Sequence, residues 1–203
     1  MPRPAKFSDI RIIGAAATLV AKGGPGAATI GAIAQAVGAP NGSIYHRFGS
    51  RDELLGRLWL TKAAFFQDAF SSAFAGPDPR TAAIEAALSL PRCARADFEG
   101  ARIMLLHRRE DFLGAGWPAG MTREAERLGR QIGELLREGT VRLFGTDTKA
   151  NRHRAAFALL DIPLGAVRRH VAQNKPPPHE IDELITLTVG AILDAPTAKG
   201  RST

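Results

Sequence analysis

The stretch from Thr29 to Leu55, TIGAIAQAVGAPNGSIYHRFGSRDELL, constrains this chain more than any other. Ile30, Ile33, Ala34 and Val37 recur at spacings of three and four, the apolar face of a short helix. Gly38 follows at once, where the left-handed conformation that ends a helix costs glycine little. Pro40 suits the first turn of a second helix, because the N–H it lacks would have no partner there. That helix spans about residues 40–46, and Ile44 and Phe48 turn back onto the first. Ser50-Arg-Asp-Glu53 reads as a capping box that opens a further helix. Two short helices crossing steeply, with Ala34 and Gly38 as the small residues at the crossing, make a helix-turn-helix. The outer side of the second helix then carries Asn41, Gly42, Ser43, Tyr45, His46 and Arg47. These are hydrogen-bond donors of the kind that phosphates and base edges require. Gly42 costs about 1 kcal/mol relative to alanine inside a helix, which makes sense where the backbone must lie close to another surface.

The pattern T-I-x-x-I-A-x-x-x-G-x-x-x-G-S-I-Y-x-x-F-x-S-R-x-E-L-L resembles the DNA-binding signature of TetR-type (TetR/AcrR) transcriptional regulators. The resemblance runs from about Ser8 to Leu60, with Gly38, Gly42, Tyr45, Phe48 and Ser50 at the family's offsets. Beyond it the chain is similar to the family in length and helical character. The resemblance implies an all-α fold. Residues 1–50 would form a three-helix helix-turn-helix domain. Residues 51–203, entered through a long linking helix, would form a helical bundle for ligand binding and dimerisation, with a disordered tail from about residue 195. It also implies a ligand-responsive regulator, a repressor by expectation. Such a protein binds a palindromic operator on double-stranded DNA as a homodimer and is released by a small-molecule effector, here unknown. Two residues depart from the family. Asn41 stands where many members carry Lys, and Arg47 where an aromatic is common, so the base preference does not transfer from a relative.

Residue by residue, the resemblance puts Pro40, Asn41, Gly42 and Ser43 in the major groove, Asn41 and Ser43 being placed to reach base edges. Tyr45 would offer its hydroxyl to a phosphate while its ring packs on the motif's core, and His46, Arg47 and Arg51 would meet phosphates. Thr29 would cap the first helix and hold a phosphate near its N-terminus. Two reading helices about one DNA turn apart, ~34–36 Å, require a dimer. Leu160, Leu164, Val167, Val171, Leu184, Ile185, Thr188 and Ile192, on the last two helices, are the candidate dimer face. Met104, His107, Phe112, Trp117 and Phe157 are the candidate lining of an effector cavity.

Apolar periodicity organises the rest of the chain. Helices are expected from Ser8 or Asp9 to Lys22, from Arg51 to about Phe74, and from Thr81 to about Ser89, the last ended or kinked by Pro91. Further helices are expected at about 97–113, 121–143, 148–173 with a kink at Pro163, and 179–193. Residues 1–7 form a loose basic arm with Arg3 and Lys6. No apolar run reaches the ~20 residues of a membrane helix, and Asp9 and Arg11 interrupt the N-terminal run, so a cytoplasmic protein without membrane contact is expected. A single cysteine, Cys93, fits a reducing compartment. Net charge is +7, and residues 1–56 hold Arg3, Lys6, Arg11, Lys22, Arg47 and Arg51 against Asp9, Asp52 and Glu53, the denser positive segment.

Two other readings compete. An enzyme would need a constellation that Cys93 and His107 alone do not make, and the histidines are scattered without metal-ligand spacing, so no catalytic residue, metal or cofactor is expected. The alternative to a regulator is a TetR-like interaction protein without specific operator binding, which the replacement of a basic residue by Asn41 leaves open.

Overall fold

A computed structural model describes residues 7–112 and 117–196; the basic arm with Arg3 and Lys6 and most of the expected tail lie outside it. Among the described residues there are helices and turns and no strand. The chain divides into two compact units. One comprises Met1–Ala64 with Asp97–Arg127, the other Phe65–Ala96 with Leu128–Thr203.

The first unit is built on α1 (Asp9–Gly23), α2 (Ile30–Val37), α3 (Asn41–Tyr45), the first part of α4 (Arg51–Phe74), and α6 (Phe98–Leu106). Ser8 caps α1 through its hydroxyl, and Ile12, Ala16, Ala17 and Val20 form the buried stripe. Those side chains meet Ile30, Ile33, Ala34 and Val37 of α2, with Ile44, Phe48, Leu54, Leu55 and Leu58, in one core. Ile103 and Phe112 belong to the same core. The compact unit around the helix-turn-helix therefore does not end near residue 50. It draws in the segment after Asp97, because the α1 surface would otherwise leave apolar area in water. Polar ties reinforce that docking: the Thr18 hydroxyl donates to Glu99 at 3.1 Å, and Arg102 Nε donates to the Ala21 carbonyl at 2.7 Å. The Lys62 ammonium meets Asp97 at 2.6 Å. The helix expected over 97–113 stops at Leu106, and His107 is extended. Asp111 accepts from the Arg108 N–H at 2.8 Å, and that local bond holds a 3-10 turn, Arg109–Asp111, in place of further helix.

The second unit holds the rest of α4, α5 (Pro79–Ala96), most of α7 (Ala119–Phe144), α8 (Lys149–Ala156), α9 (Ile162–Ala172) and α10 (Glu180–Asp194). Asp78 accepts from the Thr81 N–H at 2.7 Å and starts α5, with Pro79 in its first turn. α5 does not end or break at Pro91: it continues to Ala96, with Ala86 and Ala87 before the proline and Cys93 and Ala94 after it all buried. Burial on both sides outweighs the one backbone bond that proline removes. The helix expected over 148–173 is resolved differently. α8 gives way to a π turn, Phe157–Asp161, in which the Ile162 N–H reaches back five residues to the Phe157 carbonyl, and α9 then starts beside Pro163. The wider turn gives the proline ring room that the α-helical path lacks. Phe70, Phe74, Ala82, Ala83, Ala86 and Leu159 make the core. Gly139 is required there, since a Cβ would sit 2.1 Å from Phe74 Cε1. Arg80 pairs with Asp194 at 2.6 Å and Arg95 with Asp182 at 2.6 Å, fastening α5 to α10 at two points. The Arg154 guanidinium donates to the carbonyls of Ile192, Leu193 and Ala195, covering the last turn of α10.

Candidate nucleic-acid interface

The expected interface is assembled around α2, α3 and the turn between them. Thr29 caps α2, its hydroxyl accepting from the Ala32 N–H at 3.1 Å. Gly38 ends the helix in the left-handed conformation, φ 70°, as its position demanded. Pro40 is the cap of α3 rather than its first residue, with extended backbone, and the helix covers only Asn41–Tyr45. Ile44 and Phe48 are buried and orient α3 on α2. Their burial turns Asn41, Gly42, Tyr45 and His46 outward, all exposed, with Ser43 half-buried. A Cβ at Gly42 would meet nothing within 4 Å, so the fold of the chain itself does not demand glycine there. Tyr45 is 53% exposed and lies outside the buried core, to which Ile44 and Phe48 belong.

The two arginines, both expected at phosphates, find different partners within the unit. Arg51 Nε donates to the Ala28 carbonyl at 2.9 Å, and its Nη2 donates to the Pro25 carbonyl. It closes the loop between α1 and α2 from within the unit, with Asp52 3.8 Å from its Nη1. Arg47 instead donates to the carboxylate of Asp9, on the first turn of α1. Phe7, Gly42, Ser43, His46 and Arg47 line an open groove of about 390 Å³ beside α3. Nothing local in the sequence signals the pairing of Asp9 with a residue 38 positions away. The capping box is half formed: Ser50 accepts from the Glu53 N–H at 3.0 Å, while Glu53 returns to the N–H of Gly49, at 3.1 Å, instead of that of Ser50.

The other two expected groups are divided by the structure. Of the cavity candidates, Met104, His107, Phe112 and Trp117 lie in the first unit and Phe157 in the second. Phe112 is buried in the helix-turn-helix core, and Phe157 is 53% exposed on the π turn. Met104 and Trp117 are half-buried against that core, and His107 is half-buried beside Phe112, ring centroids 6.3 Å apart. Of the dimer candidates, Val167, Val171 and Ile185 are buried inside the protomer and are not available to a partner, because α9 and α10 pack those faces inward. Leu160 and Ile192 are half-buried, and Thr188 is exposed with its hydroxyl donating to the Leu184 carbonyl at 2.7 Å. Leu164 and Leu184 are exposed, together with Phe157 and Leu187, which the dimer reading had not included. Leu187 follows Leu184 by one helical turn, the spacing that could have revealed it.

A helix pair whose second member is held by two apolar anchors and shows a polar face outward is the architecture of a helix-turn-helix DNA-binding domain. Residues 12–58 match the family described as bacterial regulatory proteins, tetR family. Among curated proteins none matches the chain. Among solved structures it is similar to the fatty acid degradation regulator FadR from Bacillus halodurans, at 19% identity over 94% of this chain and 100% of that one, TM-score 0.68. It is also similar to the TetR family regulator PfmR from Thermus thermophilus, at 20% identity over 94% and 98%, TM-score 0.70. FadR from Bacillus subtilis, in complex with stearoyl-CoA, aligns at 13% identity over 94% and 100%, TM-score 0.70. Residues 12–58 thus carry the DNA-binding domain of the tetR family, and the chain as a whole has the fold of the solved TetR-family regulators. Among the described residues no helix is long and apolar enough to cross a membrane.

Proposed function

We propose that this chain is a ligand-responsive repressor that binds a palindromic operator as a homodimer in the cytoplasm. The observation that carries the reading is the outward face of α3, with Asn41, Tyr45 and His46 exposed over the buried Ile44 and Phe48. Asn41 and Ser43 would read base edges; Thr29, Tyr45, His46 and Arg47 would meet phosphates. Arg51, tied to two carbonyls, would support the loop instead of touching DNA.

One such unit reads only a few base pairs, so two copies must be held at a fixed spacing. Phe157, Leu164, Leu184 and Leu187 leave apolar area in water on the second unit, which supports a partner copy there. The stearoyl-CoA held by the Bacillus subtilis neighbour supports a small-molecule effector as a class. Met104, His107 and Trp117 remain the candidate contacts for it. An effector releases DNA only by binding the non-DNA conformation more tightly, and tenfold release needs only about 1.4 kcal/mol of coupling.

Selection of random duplex DNA by the purified protein at moderate salt tests the reading. A short palindrome enriched over bulk sequence is the expected result; no enriched sequence would refute it.

A further inference from the structure

The turn that follows α6 holds a cation without an acceptor. Arg109 opens the 3-10 turn Arg109–Asp111, and its Nε is buried with no hydrogen-bond partner among the described residues. The two carboxylates nearest in sequence do not serve it: Glu110 and Asp111 are exposed, and Asp111 accepts from the Arg108 N–H at 2.8 Å. A buried donor on a charged group costs stability when left unpaired, so each one calls for an explanation. Apolar side chains flank the turn along the chain, half-buried Met104 and Leu106 before it, buried Phe112 and half-buried Trp117 after it. Two bonds tie the turn to them: the Phe112 N–H donates to the Arg109 carbonyl at 3.0 Å, and the Trp117 indole N–H to the Phe112 carbonyl at 2.8 Å. The same residues stand on the helix-turn-helix unit at three points. A Cβ on Gly24, just past α1, would lie 3.3 Å from His107 Cε1. Phe112 belongs to the core that holds α2 and α3. A Cβ on Gly56, in α4, would lie 2.6 Å from Trp117 Cε2, so a residue unfavourable inside a helix is what admits the indole.

We propose that Arg109 is the anion receptor of the effector site, and that the effector is a carboxylate carrying an apolar body. The proposal rests on the ligand-responsive reading above and adds the chemical class of the ligand. A carboxylate accepts from Nε and a neighbouring Nη of one guanidinium as a bidentate pair, which takes up the orphaned donor. One guanidinium balances one negative charge, which suits a carboxylate better than a doubly charged phosphate taken from water. The body of the ligand would lie against Met104 and Trp117. His107 and Phe112 stand within three residues of Arg109, so drawing its guanidinium onto a ligand bears on the contacts at Gly24 and in the core. A ligand that favours the shifted turn thereby disfavours the arrangement that seats α3 on DNA.

Isothermal titration calorimetry on wild type and R109M, with decanoate and phenylacetate each set against its primary amide, tests the site. At least one carboxylate should bind the wild type about tenfold or more tighter than its amide, the worth of a charge-assisted hydrogen bond, and R109M should bind the two alike. The carboxylate that binds should release the selected operator from the wild type and not from R109M. Without ligand, the thermal midpoint of R109M should hold or rise, because the substitution removes a buried donor that has no acceptor; an arginine kept for structure would lower it on removal. A lowered midpoint, no carboxylate preferred over its amide, or a preference that survives in R109M would each overturn the proposal. Arg109-dependent binding that leaves operator affinity unchanged would overturn the effector assignment. If the wild type enriches no palindrome, the regulator reading falls, while the calorimetry still decides the anion site.

Discussion

Arg47 and Arg51 stand four residues apart and should fail in opposite ways. Arg51→Ala removes the donors to the Ala28 and Pro25 carbonyls. A hydrogen bond from a charged donor contributes about 1.5–3 kcal/mol net. The side chain of Arg51 is 35% exposed, and two bonds from one guanidinium do not add fully, so about 2 kcal/mol in total is expected. For a chain of this size that lowers the thermal midpoint by about 4–8 °C. Arg47→Ala breaks only an exposed ion pair, worth about 0–1 kcal/mol, and should leave the midpoint within about 3 °C. On the operator the order reverses. Arg47→Ala should flatten the salt slope by roughly 0.9, while Arg51→Ala should leave the slope unchanged even if the distorted loop weakens binding. Differential scanning calorimetry with salt-dependent fluorescence anisotropy reads both quantities. An Arg51→Ala protein with an unchanged midpoint and a flatter slope would refute the argument, placing Arg51 on a phosphate.

Tyr45→Ala should keep stability within about 0.5 kcal/mol, since the ring is already 53% exposed, yet lower operator affinity about tenfold; unchanged affinity removes Tyr45 from the contact set. Leu184 and Leu187 are each 62% exposed, so L184E with L187E should leave the protomer folded and raise the dimer dissociation constant roughly a hundredfold or more, read by analytical ultracentrifugation. A variant as dimeric as the wild type would move the interface elsewhere. Hydrogen bonding to Arg80 holds the Asp194 carboxyl below its usual range. Because its folded value lies below the unfolded one, this pair stabilises above the usual carboxylate range and stops doing so as pH falls through the lowered value. The stability gap between wild type and R80A should therefore narrow on acidification; a gap constant from neutral pH to about 2.5 would refute the link.

The helix-turn-helix was readable because its determinants are local. Gly38 ends α2, Thr29 caps it, and Ile44 with Phe48 sets the tilt of α3, all within a span where spacing and backbone preference speak directly. Helix boundaries in the second unit were less readable where a proline met a buried face. Pro91 and Pro163 carry the same local signal, yet α5 continues past one while a π turn accommodates the other. What differs is the packing around them, which periodicity does not encode.

The same division holds for the candidate site. Residue types and offsets alone mark Asn41, Ser43, Tyr45 and His46 as an outward polar face, since a short helix anchored by two apolar side chains has only one way to turn. The roles of Arg47 and Arg51, the inward fate of Val167, Val171 and Ile185, and the exposure of Leu187 were decided by tertiary structure. A charge or an apolar stripe states what a side chain can bind, whereas the partner it finds depends on which distant segment the fold brings within a few ångströms. Asp9 reaches Arg47, and the Pro25 and Ala28 carbonyls reach Arg51, only once α1, α2 and α4 have closed on their common core.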